Sequence, residues 1–260
     1  MKINKISKIL NKKGKVKITC LTAYSKSIAS ILDKYCDIIL VGDSLGMVLY
    51  GMKSTKEVQI KTMMLHAKTV KKESKNSLVV VDMPYKTYSN KSNALRNARK
   101  ILKETNCDAV KLEGGKKIVN TVKYLIKNGV PVMGHIGLLP QTSKKYKIQG
   151  KSFSQEQMIL EDAKSLSKSG VFAIVIECVL ERLAKKITNS ISIPTIGIGA
   201  SKYCDGQILV TDDMIGMTNF SPKFVKKYSN VRKIIEKSVK KYCNEVKSKT
   251  FPSSQHVYKL

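Results

Sequence analysis

The sequence predicts an α/β fold, a (β/α)8 TIM barrel with a C-terminal helical extension. Three observations carry this. The length of 260 residues suits one barrel. Eight short runs are near-continuous in Val, Ile and Leu, the pattern of strands buried on both faces of a parallel sheet. Amphipathic stretches at helical spacing lie between most of them. No composition break precedes the tail, so one barrel domain over residues 1–260 is expected. A doubly wound open sheet is the runner-up. "GIGASKYCDG" is not its phosphate-binding fingerprint, because Lys202 stands where G-x-G-x-x-G needs its third glycine.

The strands are expected at 17–24 (KITCLTAY), 36–44 (CDIILVGDS), 77–84 (SLVVVDMP) and 108–115 (DAVKLEGG). Four more follow at 130–137 (VPVMGHIG), 171–178 (VFAIVIEC), 194–201 (PTIGIGAS) and 206–213 (GQILVTDD). Helices are expected from Ser25, from near Thr55, and from Ser92 as an N-cap. A fourth closes at Gly129 with a C′ glycine. A fifth opens at Ser154, where Gln157 three residues on suggests a capping box, and closes at Gly170. The link between the last two strands is too short for a full helix. The tail, about 222–248, reads as one long basic amphipathic helix.

Composition narrows the function. Lys and Arg number 48 against 19 Asp and Glu, a net charge of +29. The excess is almost all Lys, spread along the chain and enriched from Lys223 to Lys249. No arginine-rich block or stacking aromatic pattern accompanies it, so no nucleic-acid role is expected. Positive charge of this kind helps capture a small anionic substrate. The six cysteines show no C-x-x-C pairing and no zinc-finger spacing, as expected of reduced thiols. The basic N-terminus lacks the apolar core of a signal peptide. No apolar run nears the roughly 20 residues that span a bilayer. A cytoplasmic protein without membrane contact is expected.

In a barrel the C-terminal strand ends share one mouth, where chemistry gathers. Here the expected second strand ends in Asp43-Ser44 and the third in Asp82. The fourth carries Lys111 and Glu113, the fifth ends in His135, the sixth in Glu177, and the eighth in Asp212-Asp213. Strand seven ends in the small residues Gly197, Gly199 and Ser201, which leave room. Three carboxylates converging on one mouth raise one another's pKa unless a cation neutralises them. Asp43, Asp82 and Glu113 therefore make a hard oxygen set suited to Mg²⁺, with Mn²⁺ or Co²⁺ as fits. Glu177, closing an apolar strand with no neighbouring cation in sequence, suits a general base. Each has a structural alternative: Asp43 as a loop cap, Asp82 as a turn acceptor, His135 as a core histidine. A Glu113–Lys111 pair is disfavoured on the expectation that the two face opposite sides of their strand.

These residues resemble the ketopantoate hydroxymethyltransferase family over almost the whole length. The motifs are "TAYSKSIA", "VGDSLGMVLYG", "VVVDMPY", "AVKLEGG", "PVMGHIGLLPQ", "YKIQGKS", "IVIECV", "PTIGIGAS", "DGQILV" and "FPSSQHVY". The resemblance implies a metal-dependent barrel enzyme that moves the one-carbon unit of 5,10-methylenetetrahydrofolate to 3-methyl-2-oxobutanoate. The product is 2-dehydropantoate, on the way to pantothenate and coenzyme A, through a metal-stabilised enolate. It implies Asp43, Asp82 and Glu113 as metal set, Ser44 and Lys111, together with Asp43 and Asp82, as contacts to the oxo-acid, and Glu177 as base. His135 is expected as an accessory that contacts the product or the metal's water shell. It also implies homo-oligomeric rings, often decamers. The chain departs from the family pattern at Tyr85, Leu139 and Ser201, none of them in the metal set or the base. Another Mg²⁺-dependent oxo-acid barrel enzyme, of the isocitrate lyase or phosphoenolpyruvate mutase kind, is the alternative.

Overall fold

The computed structural model describes residues 2–143 and 146–259. By contact density the chain divides into two compact units, Met1–Val210 and Thr211–Leu260.

In the first unit, α1 (Lys2–Leu10) precedes β1 (Ile18–Thr22), α2 (Lys26–Leu32), β2 (Ile38–Val41), α3 (Leu45–Tyr50) and α4 (Ile60–Glu73). Then come β3 (Leu78–Asp82), α5 (Lys91–Thr105), β4 (Ala109–Glu113), α6 (Val119–Lys127) and β5 (Val132–Gly137). The unit ends with α7 (Phe153–Lys168), β6 (Ala173–Glu177), α8 (Glu181–Ser190), β7 (Thr195–Ile198) and β8 (Gly206–Leu209). All eight strands pair in parallel and in chain order, and β8 closes onto β1. The (β/α)8 expectation holds, and no helix joins β7 to β8.

Alternation along the strands builds two apolar layers. Ile38, Leu40, Leu78, Val80, Val175 and Ile196 fill the barrel interior. Ile39, Val41, Val79, Val81, Val110 and Leu112 face outward and pack under the helices. Burial of each such side chain stabilises by about 1.5–3 kcal/mol, which is why these strands read as unbroken apolar runs.

Several boundaries differ from expectation. Ser25 caps α2 as expected. The stretch from Thr55 splits into a 3-10 turn, Thr55–Glu57, and α4. Helix α5 is capped by Asn90 rather than Ser92, its side chain accepting from the backbone N–H of Asn93. Helix α7 is capped by Ser152 rather than Ser154. Gln155 reaches back to the N–H groups of Gly150 and Lys151, so the capping pattern sits two residues earlier than expected. Gly129 and Gly170 follow their helices with φ of +77° and +93°, as C′ glycines do.

In the second unit the expected eighth-strand tip becomes a short helix, α9 (Thr211–Met214), so Asp212 and Asp213 end no strand. Asp213 instead accepts a hydrogen bond from the Thr218 hydroxyl. The tail helix α10 runs Val231–Lys247 rather than 222–248. Pro222 opens a turn closed by Val225, and the chain then runs alongside residues 214–216 before Asn230 caps the helix. No helix among the described residues is long and apolar enough to cross a membrane.

Candidate active site

Parity and register assemble the site. Residues inward-facing on each strand alternate with outward ones, so Asp82 follows Leu78 and Val80 into the interior. Lys111 and Glu113 follow Ala109, His135 follows Met133, and Glu177 follows Ala173 and Val175. Asp82 pairs in register with Lys111, Glu113 with His135, and Glu177 with Gly137. Lys111 and Glu113 are two apart and so share a face; the expectation that they point apart was wrong.

The contacts form a line across the mouth. Lys111 Nζ lies 2.9 Å from Asp82 Oδ1 and 3.2 Å from His135 Nδ1. His135 Nδ1 is 3.6 Å from Glu113 Oε1, and its Nε2 is 3.2 Å from Glu177 Oε2. An ammonium beside Nδ1 can only donate, so Nδ1 accepts and Nε2 carries the imidazole proton toward Glu177. Neither Asp82 Oδ1 nor His135 Nε2 completes a well-aligned hydrogen bond. Each still has a charged neighbour, Asp82 Oδ1 the Lys111 ammonium and His135 Nε2 the Glu177 carboxylate.

Beyond the end of β2, Asp43 sits buried in the turn into α3, and its backbone N–H donates to Asp82 Oδ2 at 3.1 Å. Ser44 begins α3 without capping it; its hydroxyl meets the Tyr24 phenol at 2.7 Å. Gly42 keeps this corner open: a Cβ there would stand 2.9 Å from Ser44 Oγ and 3.6 Å from Asp82 Oδ2.

Electrostatics follow from burial of unequal charge. Burial would strip Lys111 of its proton, but Asp82, Glu113 and Asp43 outweigh it and hold the ammonium charged. Burial raises the Asp43 carboxyl well above its usual range, with Asp82 and Glu113 adding to it. Glu113 is pushed up to about 8, mainly by burial, with Lys111 opposing. Glu177 rises to about 7 by burial, again with Lys111 opposing. His135 is held neutral by burial and the nearby Lys111. At the other strand ends the acids are neutralised. Asp37, Asp108 and Asp205 pair with Lys12, Lys71 and Lys13, and Asp205 is held low by Lys13 and backbone N–H groups despite burial.

The donor set suits a hard divalent cation: three buried carboxylates gather about one ammonium. Among the described residues no three His, Cys, Asp or Glu side chains are grouped so as to hold a metal ion by themselves. A cation would therefore take part of its shell from water or substrate oxygens, the habit of Mg²⁺.

Sequence reasoning missed Gln141, Tyr88 and Tyr24. Gln141 joins Asp43 to Glu113, and Tyr88 supports it. Gln141 ends the quoted "GLLPQ", and its setting in an apolar loop before Thr142 was the available signal.

Fold and site together define a (β/α)8-barrel protein whose mouth gathers buried carboxylates, a histidine and a charged lysine. The chain belongs to the ketopantoate hydroxymethyltransferase family, whose sequence model matches residues 2–254. It is 53% identical to a 3-methyl-2-oxobutanoate hydroxymethyltransferase of Pelagibacter ubique, over 98% of this chain and 99% of that one. It is 49% identical to the enzyme of that name from Bartonella henselae, over 98% and 94%. Its fold is also that of a phosphonopyruvate hydrolase solved with oxalate and Mg²⁺ (TM-score 0.64, 9% identity, 97% and 93% covered). A phosphoenolpyruvate phosphomutase of Streptomyces platensis is similar (0.63, 10%, 98% and 91%). Identities so low carry the fold alone, so the lyase or mutase alternative gains nothing beyond shared architecture.

Proposed function

We propose that this chain transfers the one-carbon unit of 5,10-methylenetetrahydrofolate to 3-methyl-2-oxobutanoate, forming 2-dehydropantoate. The observation that carries the reading is the 53% identity to a 3-methyl-2-oxobutanoate hydroxymethyltransferase across essentially both whole chains.

The residues divide the work. Lys111 stays charged in a buried mouth, so it holds the substrate carboxylate, with the Ser44 hydroxyl beside it. Asp43, Asp82 and Glu113 would hold a divalent cation. When bound, the cation supplies Lewis-acid stabilisation of negative charge developing on the keto oxygen. Glu177, with a pKa of about 7, takes the C3 proton near neutral pH. His135 presents Nε2–H to Glu177 and orients it. C3 then bonds to the folate-borne carbon; one water is consumed, the hydroxyl stays on the product, and tetrahydrofolate leaves. Assembly as a homo-oligomer belongs to the same reading.

The test is formation of 2-dehydropantoate from the two substrates by purified protein with Mg²⁺, Mn²⁺ or Co²⁺. Product with at least one metal supports the reading; none with any of them overturns it.

A further inference from the structure

Gln141 is 1% exposed, and its amide is fully committed. Its Nε2 donates to Asp43 Oδ2 at 2.7 Å and to the Met83 carbonyl at 3.0 Å. Its Oε1 accepts from the Tyr88 hydroxyl at 2.5 Å. Its backbone N–H donates to Glu113 Oε2 at 3.0 Å. Two carbonyl-type acceptors on one side and a phenol donor on the other leave the amide a single satisfactory orientation.

The consequence lies in which oxygens are spent. Gln141 engages Asp43 Oδ2 and Glu113 Oε2, and the Asp43 N–H engages Asp82 Oδ2. Asp43 Oδ1, Asp82 Oδ1 and Glu113 Oε1 take no part in this bracing. Asp43 and Glu113 are thus each pinned by one oxygen and offer the other, while Asp82 is held through Oδ2 by the Asp43 N–H and through Oδ1 by Lys111 at 2.9 Å. A carboxylate pinned in this way cannot swing to bind a cation through both oxygens. Bidentate carboxylates and a loose shell of six to eight oxygens are the habit of Ca²⁺, whereas Mg²⁺ demands a compact octahedron. Partners behind the ligands orient them and tune the metal.

We propose that Gln141, backed by Tyr88, is a positioning residue that enforces one-oxygen presentation by Asp43 through its side chain and by Glu113 through its backbone N–H. It thereby selects a small octahedral cation over Ca²⁺. The proposal rests on the reading that these carboxylates bind a divalent cation.

The experiment measures Mn²⁺ binding to the purified, substrate-free full chain by the loss of the free-ion electron paramagnetic resonance signal. Mg²⁺ and Ca²⁺ are measured by competition. Gln141→Met keeps the volume and removes the amide donors. It is expected to weaken Mn²⁺ and Mg²⁺ about ten- to hundred-fold and Ca²⁺ much less, so the preference for Mg²⁺ shrinks. Tyr88→Phe frees the amide and shifts the preference the same way by less; if Gln141→Met does not fold, Tyr88→Phe decides. Unchanged Mn²⁺ affinity in a folded variant overturns the proposal. So does an equal loss for all three ions, which marks a merely structural brace. A wild-type chain that binds no Mn²⁺ overturns the metal reading itself, and the proposal with it.

Discussion

The base role proposed for Glu177 rests on its surroundings. Burial lifts a carboxyl that titrates near 4.5 in the open to about 7, so it is poised to take a proton at neutral pH. The acid limb of the kcat profile is therefore expected near pH 7. The same shift weakens the fold. The native state retains a proton that the unfolded chain loses, so this contribution is absent below about pH 4.5. It grows through the interval to 7 and is full above it. Glu177→Gln is expected to raise unfolding free energy at pH 8 by up to about 3 kcal/mol, and not at pH 4. Urea unfolding at the two values checks this; equal effects at both would contradict it. At this scale the sequence was informative because Asp82, Lys111, His135 and Glu177 each end or follow an apolar run. Gln141 escaped notice because its value lies in contacts to Asp43 and Met83, 98 and 58 residues away.

Between β5 and β6 the two elements approach more closely than side chains usually permit. Gly137 has φ +91°, and a Cβ there would stand 2.3 Å from the Glu177 carbonyl, which accepts from the Leu138 N–H at 2.8 Å. Gly137→Ala must move the strand end that carries the base. It is expected to cost about 1–3 kcal/mol in backbone strain and to lower kcat at least ten-fold; a variant with wild-type kcat would show that Glu177 tolerates the shift. The helix starts make a contrasting case. Ser154 matches the capping pattern by letter, but Ser152 performs it, with its hydroxyl accepting from Gln155 N–H. Ser152→Ala is expected to cost about 1 kcal/mol and Ser154→Ala close to nothing in thermal unfolding; the reverse order would contradict the assigned start. Strands were legible because burial on both faces enforces Val and Ile runs. Helix ends were not, since neighbouring Ser and Asn residues compete for the cap at small cost.

The barrel separates the acids at its two strand ends. Those at the strand starts are each matched by a lysine, and those at the mouth share Lys111. The (β/α)8 topology was legible from eight runs in chain order, but the fate of Asp212 and Asp213 was not. Their letters continue the eighth run, yet Thr211–Met214 turns into a helix of the second unit. The net charge of +29 gives the surface a field that attracts small anions and is screened within about 8–10 Å at ordinary salt. Accordingly kcat/KM for 3-methyl-2-oxobutanoate is expected to fall with ionic strength while kcat stays level; a flat kcat/KM would mean that the lysines take no part in capture. The central claim is that the mouth abstracts the C3 proton of a 2-oxo acid through Glu177. Its most direct test follows that proton by NMR in D₂O, with 3-methyl-2-oxobutanoate, a divalent metal and no folate. Exchange by the wild-type chain and its loss in a folded, substrate-binding Glu177→Gln variant is the predicted result, and undiminished exchange in that variant would contradict it.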